Sequence, residues 1–515
     1  MAVQQSNVLE YGFRRAAVTI AIITATLLEI VDITIVNVAL PNIQGNFGAN
    51  VDQGAWVVTG YIIANVVVIP ITPWLQLRFG RRAYYLASIV IFTCASLMCG
   101  LSGSFTQLVF WRIVQGVGGG GLISTSQAIL RETYPLSEQG KAAGIFSMGV
   151  IVGPTIGPTL GGIITDNLSW RWAFFVNIPL GIFAAVLVWM FLRNPAAPQK
   201  DRRLDWTGLG LLALGLGSLQ YVLDQGQQND WFSDRTIVLF TVLAVIGLMT
   251  FIGWTLRSRI PVVDLHILRY RSVAAGSVLG MVLGVSLYGS VLILPQYVQN
   301  SLGFTATLAG ELLLLRAIAI AVLTPPTAML AGKGKVDARI MIGSGFLVVG
   351  ISNWILANMT TSDSSFWTFL LPLVVSGIGL SQIFVPLTVS VLASVPPKDV
   401  PAASAFFNLS RQIGGSIATA VLVTMLVRGA AYHTTALGSQ ITLQAPAVQN
   451  YLQTHGGAHN PLAVQNLFTL VSSQAQILSY ADTARFTAIV SIALAPLAVI
   501  LRRPRAAAKS PMMAE

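Results

Sequence analysis

Charge is scarce in this chain: Asp, Glu, Lys and Arg make up 10% of its 515 residues, 54% are hydrophobic, and the mean hydropathy is +0.72. So little charge over such a length excludes a soluble fold. Cysteine is nearly absent. The two present, Cys94 and Cys99, share one apolar run and read as small packing residues with no disulfide or metal role. Histidine is also rare, with four residues, and no constellation of nucleophile, base and metal supports an enzyme. There is no Gly-x-x-x-x-Gly-Lys-Ser/Thr phosphate loop, which argues against an ATP-driven pump. No cleavable signal peptide is expected either, because the first apolar run is long enough to stay as an anchor.

The chain is rich instead in apolar runs of bilayer-crossing length, about 20 residues each. Seven lie near 17–39, 54–76, 84–103, 108–130, 141–166, 172–193 and 205–225. Seven more lie near 236–256, 272–299, 306–331, 339–358, 366–394, 402–428 and 483–501. An all-α polytopic membrane protein with fourteen spans is therefore expected. Lys and Arg concentrate in alternate short loops, the cytoplasmic ones by the positive-inside rule. Arg14 and Arg15 precede the first span and Arg502, Arg503, Arg505 and Lys509 follow the last, so both termini are expected in the cytoplasm. The net charge of +11 is thus a matter of topology. No aromatic platform accompanies it, and no nucleic-acid partner is expected.

Basic, Pro-containing segments at 194–204 and 257–271 divide the spans six, two and six. Residues 1–193 read as one six-helix bundle, 194–260 as a linker with two inserted spans, and 261–515 as a second bundle. A long outward loop, about 429–482, interrupts the second bundle, and Leu462 to Tyr480 within it has an amphipathic pattern. Such a loop docks a partner or is simply solvated.

Glu29 and Asp32 lie inside the first span, where each carboxylate costs about 2.5–3.5 kcal/mol on insertion scales. Spaced i, i+3, they share a helix face about 4.5 Å apart along the axis. Protons taken up there belong to the pair; the plainer reading is that Glu29 only hydrogen-bonds a neighbouring helix. Arg112 sits within the fourth span and needs an acid, carbonyls or water, or else snorkels to the membrane face. In the fifth span Gly149, Gly153, Gly157 and Gly161 recur every four residues, with Pro154, Pro158 and Gly162 interleaved. That spacing lines one helix face for close packing. Tyr61, Asn65, Gln115, Tyr288, Gln296, Glu311, Gln382, Asn408, Arg411 and Gln412 are candidate cavity groups for substrate, or else interhelical hydrogen bonds. Embedded acids suit cationic compounds, whereas Arg112, Arg316 and Arg411 suit weak acids.

Together these segments resemble the major facilitator superfamily, specifically its fourteen-span drug:proton antiporters of the EmrB/QacA type. The resemblance rests on the runs Leu28 to Pro41, Arg112 to Gly116, Gly149 to Gly162, Trp170 to Gly181 and Asn408 to Ser416. It implies two six-helix bundles rocking about a central cavity, with two extra central helices, in a bacterial inner membrane. It also implies that the proton gradient, with no cofactor, drives export of small amphipathic compounds. By the same resemblance Asp32 is linked to proton coupling, Arg112 to proton transfer, and Gly149 to Gly162 to antiport. The long loop resembles pumps that work with a periplasmic adaptor and an outer-membrane channel. Arg78, Gly80, Arg81 and Arg82 match the family's cytoplasmic-loop motif, but Leu77 stands where that motif has an acid. The alternative is a proton-coupled symporter that imports a small organic solute.

Overall fold

In hydrocarbon only a helix or a closed barrel satisfies every backbone N–H and C=O, so long apolar runs fold as helices. The computed structural model describes residues 11–135, 138–194, 204–258, 261–332, 336–442, 444–455 and 460–501, and no strand occurs among them. The N-terminal half contains α1 (Gly12–Phe47), α2 (Val51–Phe79), α3 (Arg81–Gly100), α4 (Phe105–Gly119), α5 (Leu122–Thr133), α6 (Gln139–Asn167), α7 (Trp172–Phe175) and α8 (Asn177–Phe191). Then come α9 (Trp206–Gln225) and α10 (Arg235–Arg257). The C-terminal half contains α11 (Arg271–Asn300), α12 (Ala306–Gly332), α13 (Ala338–Met359), α14 (Leu370–Ala393), α15 (Val400–Gln440), α16 (Pro446–Thr454) and α17 (Pro461–Leu494). Among the described residues, 11 helical stretches are long and apolar enough to cross a membrane. Further apolar helix occurs at Ile156–Thr165 and Arg271–Leu287.

Three local expectations are corrected. The run at 108–130 is not one helix but two, α4 and α5, parted by a turn at Gly120 and Gly121. Glycine lets the neighbours crowd in there: a Cβ at Gly120 would lie 2.6 Å from the Asn65 carbonyl oxygen, and one at Gly118 would lie 2.6 Å from the Phe92 nitrogen. The run at 172–193 is likewise split, into α7 and α8, which puts Asn177 at the start of a helix.

The expected loop at 429–482 is largely helical, because α15 and α17 continue through it and α16 sits near their tip. At 41 and 34 residues, these helices extend about 60 and 50 Å, well beyond a hydrocarbon core of about 30 Å. Its Gln, Ser and Thr content reads as loop, yet the Ala residues among them favour helix. The Thr434 and Thr435 hydroxyls donate back to the Ala430 and Ala431 carbonyls. The two helices are tied by His433 Nε2, 2.8 Å from Asp482 Oδ2, while Arg485 donates to Asp482 Oδ1 at 3.0 Å.

Outside the spans, Asp234 caps α10, accepting from the Thr236 and Ile237 N–H groups. Those bonds, with one from the Thr236 hydroxyl foremost, hold its carboxyl below the usual range.

The four-residue glycine ridge of α6 faces α1. A Cβ at Gly153 would lie 2.7 Å from Ile30, one at Gly157 1.7 Å from Thr34 Oγ1, and one at Gly161 3.1 Å from Val38. Pro154 and Pro158 stay within the helix. The same helix also meets α12: Gly144 approaches Ala328, and Gly310 approaches Thr159. α6 therefore lies between α1, which carries both acids, and the C-terminal half.

A second seam joins α2 to α15 through Val66, Ile69, Ala405 and Leu409. Near the basic end of the helices, Asn408 and Ser404 on α15 donate to Gln127 Oε1 at 2.8 and 2.7 Å. Arg131 donates to the Leu392 carbonyl at the end of α14, where a cation complements the helix dipole.

Candidate functional site

Asp32 lies on α1, with none of its side chain exposed. A bare carboxylate at that depth is costly, and four side chains on three other helices converge near it. Arg112 of α4 donates from Nη1 to Asp32 Oδ2 at 2.6 Å. Gln115, one turn further along α4, donates to Oδ1 at 2.9 Å, and Asn177 of α8 donates to the same oxygen at 2.8 Å. Ser96 of α3 completes the cluster, lying 3.1 Å from Asn177 Nδ2.

The guanidinium is held through Nε and Nη1, while Nη2 is buried without a hydrogen bond among the described residues. Nε donates to the Val57 carbonyl at 2.9 Å, Nη1 also meets Gln115 Oε1 at 2.7 Å, and the Tyr61 ring lies 4.3 Å from Cζ. Arg112 thus pairs with an acid and does not snorkel to a membrane face. Gly116 brings α4 onto α2, since a Cβ there would lie 2.3 Å from the Tyr61 carbonyl oxygen.

Glu29 has different company. It is 2% exposed; Asn65 of α2 donates to its Oε1 at 3.0 Å, and the Ile123 N–H at the start of α5 also acts on the carboxyl. The Arg411 guanidinium of α15 is near enough to act on its charge from the C-terminal half. The two acids share a helix but no hydrogen-bond partner. Asp32 is locked within the N-terminal half, whereas Glu29 faces the seam between halves.

The other candidates scatter. Asn408 is buried against Gln127, Gln382 accepts from Ser344 at 2.9 Å, and Gln412 is half-buried. Arg411 lies 5.4 Å from the centre of the Phe384 ring. Gln296 and Glu311 are exposed. The side chain of Tyr288 lies outside the described residues. Glu311 and Arg316 do not pair, for Arg316 is buried. In the loop after α2, Gly80 adopts φ 83°, Arg81 bonds Gln76 and Glu132, and Arg82 binds the Trp189 carbonyl. Arg78 is half-buried and Leu77 is exposed, so the acid facing Arg81 comes from α5.

Sequence reading counted Arg131 only among the cytoplasmic loop cations and Asn177 only within the Trp170 to Gly181 run, and it assigned no role to Gln127 or Ser404. Asn177 alone carried a signal, as an amide within the apolar run after Trp172.

The Major Facilitator Superfamily profile matches residues 22–293 and 276–438. The chain belongs to the major facilitator superfamily. As a member it is a multi-pass transporter of the bacterial inner membrane. It is 36% identical over 454 residues to the multidrug export protein EmrB of Escherichia coli K12, covering 88% of each chain. It is 34% identical over 434 residues to the fatty acid resistance protein FarB of Neisseria gonorrhoeae, covering 84% of each. Among solved members, the human organic anion transporter MFSD10 superposes with a TM-score of 0.58 at 13% identity, covering 93% of this chain and 99% of that one. That likeness is one of fold.

Proposed function

We propose that this protein is a proton-driven antiporter that exports hydrophobic and amphipathic compounds by alternating access. The observation that carries this reading is the division of labour between its two membrane-embedded acids. Asp32 is held by Arg112, Gln115 and Asn177, an arrangement suited to fixing α1 against α4 and α8. Glu29 is the exchangeable acid. Its charge is held first by the Asn65 amide and the Ile123 N–H and then, across the seam, by the Arg411 guanidinium, with Asp32 as the nearby like charge. Rocking of the halves then decides whether a guanidinium or a proton neutralises it, which is what coupling requires.

The export direction and substrate range are supported by the names of its relatives, a multidrug export protein and a fatty acid resistance protein. In this reading the chain crosses the membrane fourteen times, α4 with α5 and α7 with α8 each forming one crossing. Both termini are cytoplasmic, and 1–193 and 261–515 form the two bundles around the inserted pair α9 and α10. The protruding α15–α16–α17 hairpin, with Tyr432, Leu462 and Phe468 exposed, suits a periplasmic adaptor that leads to an outer-membrane channel.

Whole cells test the export reading. Energised cells expressing the protein are expected to retain several-fold less tetraphenylphosphonium than cells carrying the Glu29→Gln variant, and collapse of the proton gradient is expected to erase the difference. Equal retention, with both proteins at equal levels in the membrane, would count against it.

A further inference from the structure

Among the described residues, Arg316 is the one buried cation whose charge neither the fold nor the proposed coupling uses. It is 1% exposed, and its Nε and Nη1 make no hydrogen bond among the described residues. Arg112, by contrast, is matched by Asp32. Arg316 lies 10 residues from the start of α12 and 16 from its end, roughly 15 and 24 Å of helix. Its side chain cannot snorkel that far. It sits on the face of α12 that carries Leu312, Leu313 and Ile320, all buried. On the α14 side, Gly377 packs against its backbone, a Cβ there lying 3.0 Å from the Arg316 carbonyl oxygen.

A guanidinium cannot shed its proton, so burial cannot be relieved by neutralising the side chain. Without an acid from the chain, the complement is an anion from outside. The surroundings are apolar and the planar fork suits a bidentate carboxylate, so the matching ligand is an acid with a hydrocarbon tail.

We propose that Arg316 anchors the carboxylate of amphipathic organic acids carried by this protein, a subsite in the C-terminal half apart from the acids of α1. The inference rests on the export reading and adds a substrate class to it. In the present conformation the site is shut.

The test uses the full chain in phosphatidylcholine nanodiscs at neutral pH, with radiolabelled dodecanoate, dodecanol and tetraphenylphosphonium as probes. Wild type is expected to bind dodecanoate about tenfold or more tightly than dodecanol, the scale of a charge-assisted bond. Arg316→Gln is expected to abolish that preference and leave tetraphenylphosphonium binding unchanged, while Arg316→Lys restores part of it. Equal binding of dodecanoate and dodecanol by wild type overturns the proposal even if the Gln variant fails to fold, and so does a preference that survives in a folded Gln variant. Proton-coupled cation export without carboxylate preference removes only this subsite. Carboxylate preference without any proton-coupled export removes the export reading and keeps the subsite.

Discussion

Asp32→Asn is expected to destabilise the protein by about 3–5 kcal/mol, the scale on which breaking one side of a buried ion pair acts. The variant leaves Arg112 charged, fully buried and facing an amide. Asparagine still offers one oxygen to Gln115 and Asn177, but its NH2 group then points at the Arg112 Nη1 donor that the carboxylate accepted at 2.6 Å. Transport is expected to be lost with stability. The informative companion is the double variant Asp32→Asn/Arg112→Gln. It removes both charges, so it is expected to recover most of the lost melting temperature without recovering transport. Thermal unfolding in detergent checks the first part and efflux in vesicles the second. A single Asp32→Asn variant as stable as wild type would contradict the ion-pair account.

Gly157→Val is expected to be the most damaging change on the glycine ridge. A Cβ at that position would sit 1.7 Å from Thr34 Oγ1 and 3.3 Å from the Val31 carbonyl oxygen, so α1 itself must move. Overpacking of this kind typically costs about 1–3 kcal/mol, more when backbone is displaced. Because Glu29 and Asp32 ride on α1, transport is expected to fall further than stability alone explains. Gly149→Ala is the control. A Cβ there meets Ile23 at 3.5 Å, an ordinary contact, and near-normal efflux is expected. Melting temperatures and efflux rates of the two variants, measured side by side, decide the matter, and equal tolerance would mean the ridge is not a close contact.

The helical architecture was legible because hydrophobic run length is set by the bilayer, and a run such as Ala16 to Pro41 has few other ways to fold. The Asp32–Arg112 site was legible for a related reason. A charge at membrane depth must find a partner, so Asp32 and Arg112 announced themselves within their runs. The partners that complete the site were not. Asn177 is a neutral amide 145 positions from Asp32, and no local pattern says that α8 begins there and turns it inward. Gln127, Ser404 and Asn408 meet only because α5 and α15 cross. The 429–482 region was read only in part: the amphipathic stretch Leu462 to Tyr480 is helix within α17, whereas the polar residues of 429–440 resemble loop composition yet continue α15. Arg316 was visible as a charge in an apolar run, but its lack of a partner is a property of the packed molecule alone.

The central claim is that Glu29 carries the proton exchanged for substrate. The most direct measurement is lumenal pH in proteoliposomes as tetraphenylphosphonium is added, for wild type and Glu29→Gln, with binding of the cation measured in parallel. The account predicts substrate-evoked proton movement in wild type, and its loss in Glu29→Gln while the cation still binds. Proton movement of equal size in the two proteins would contradict it.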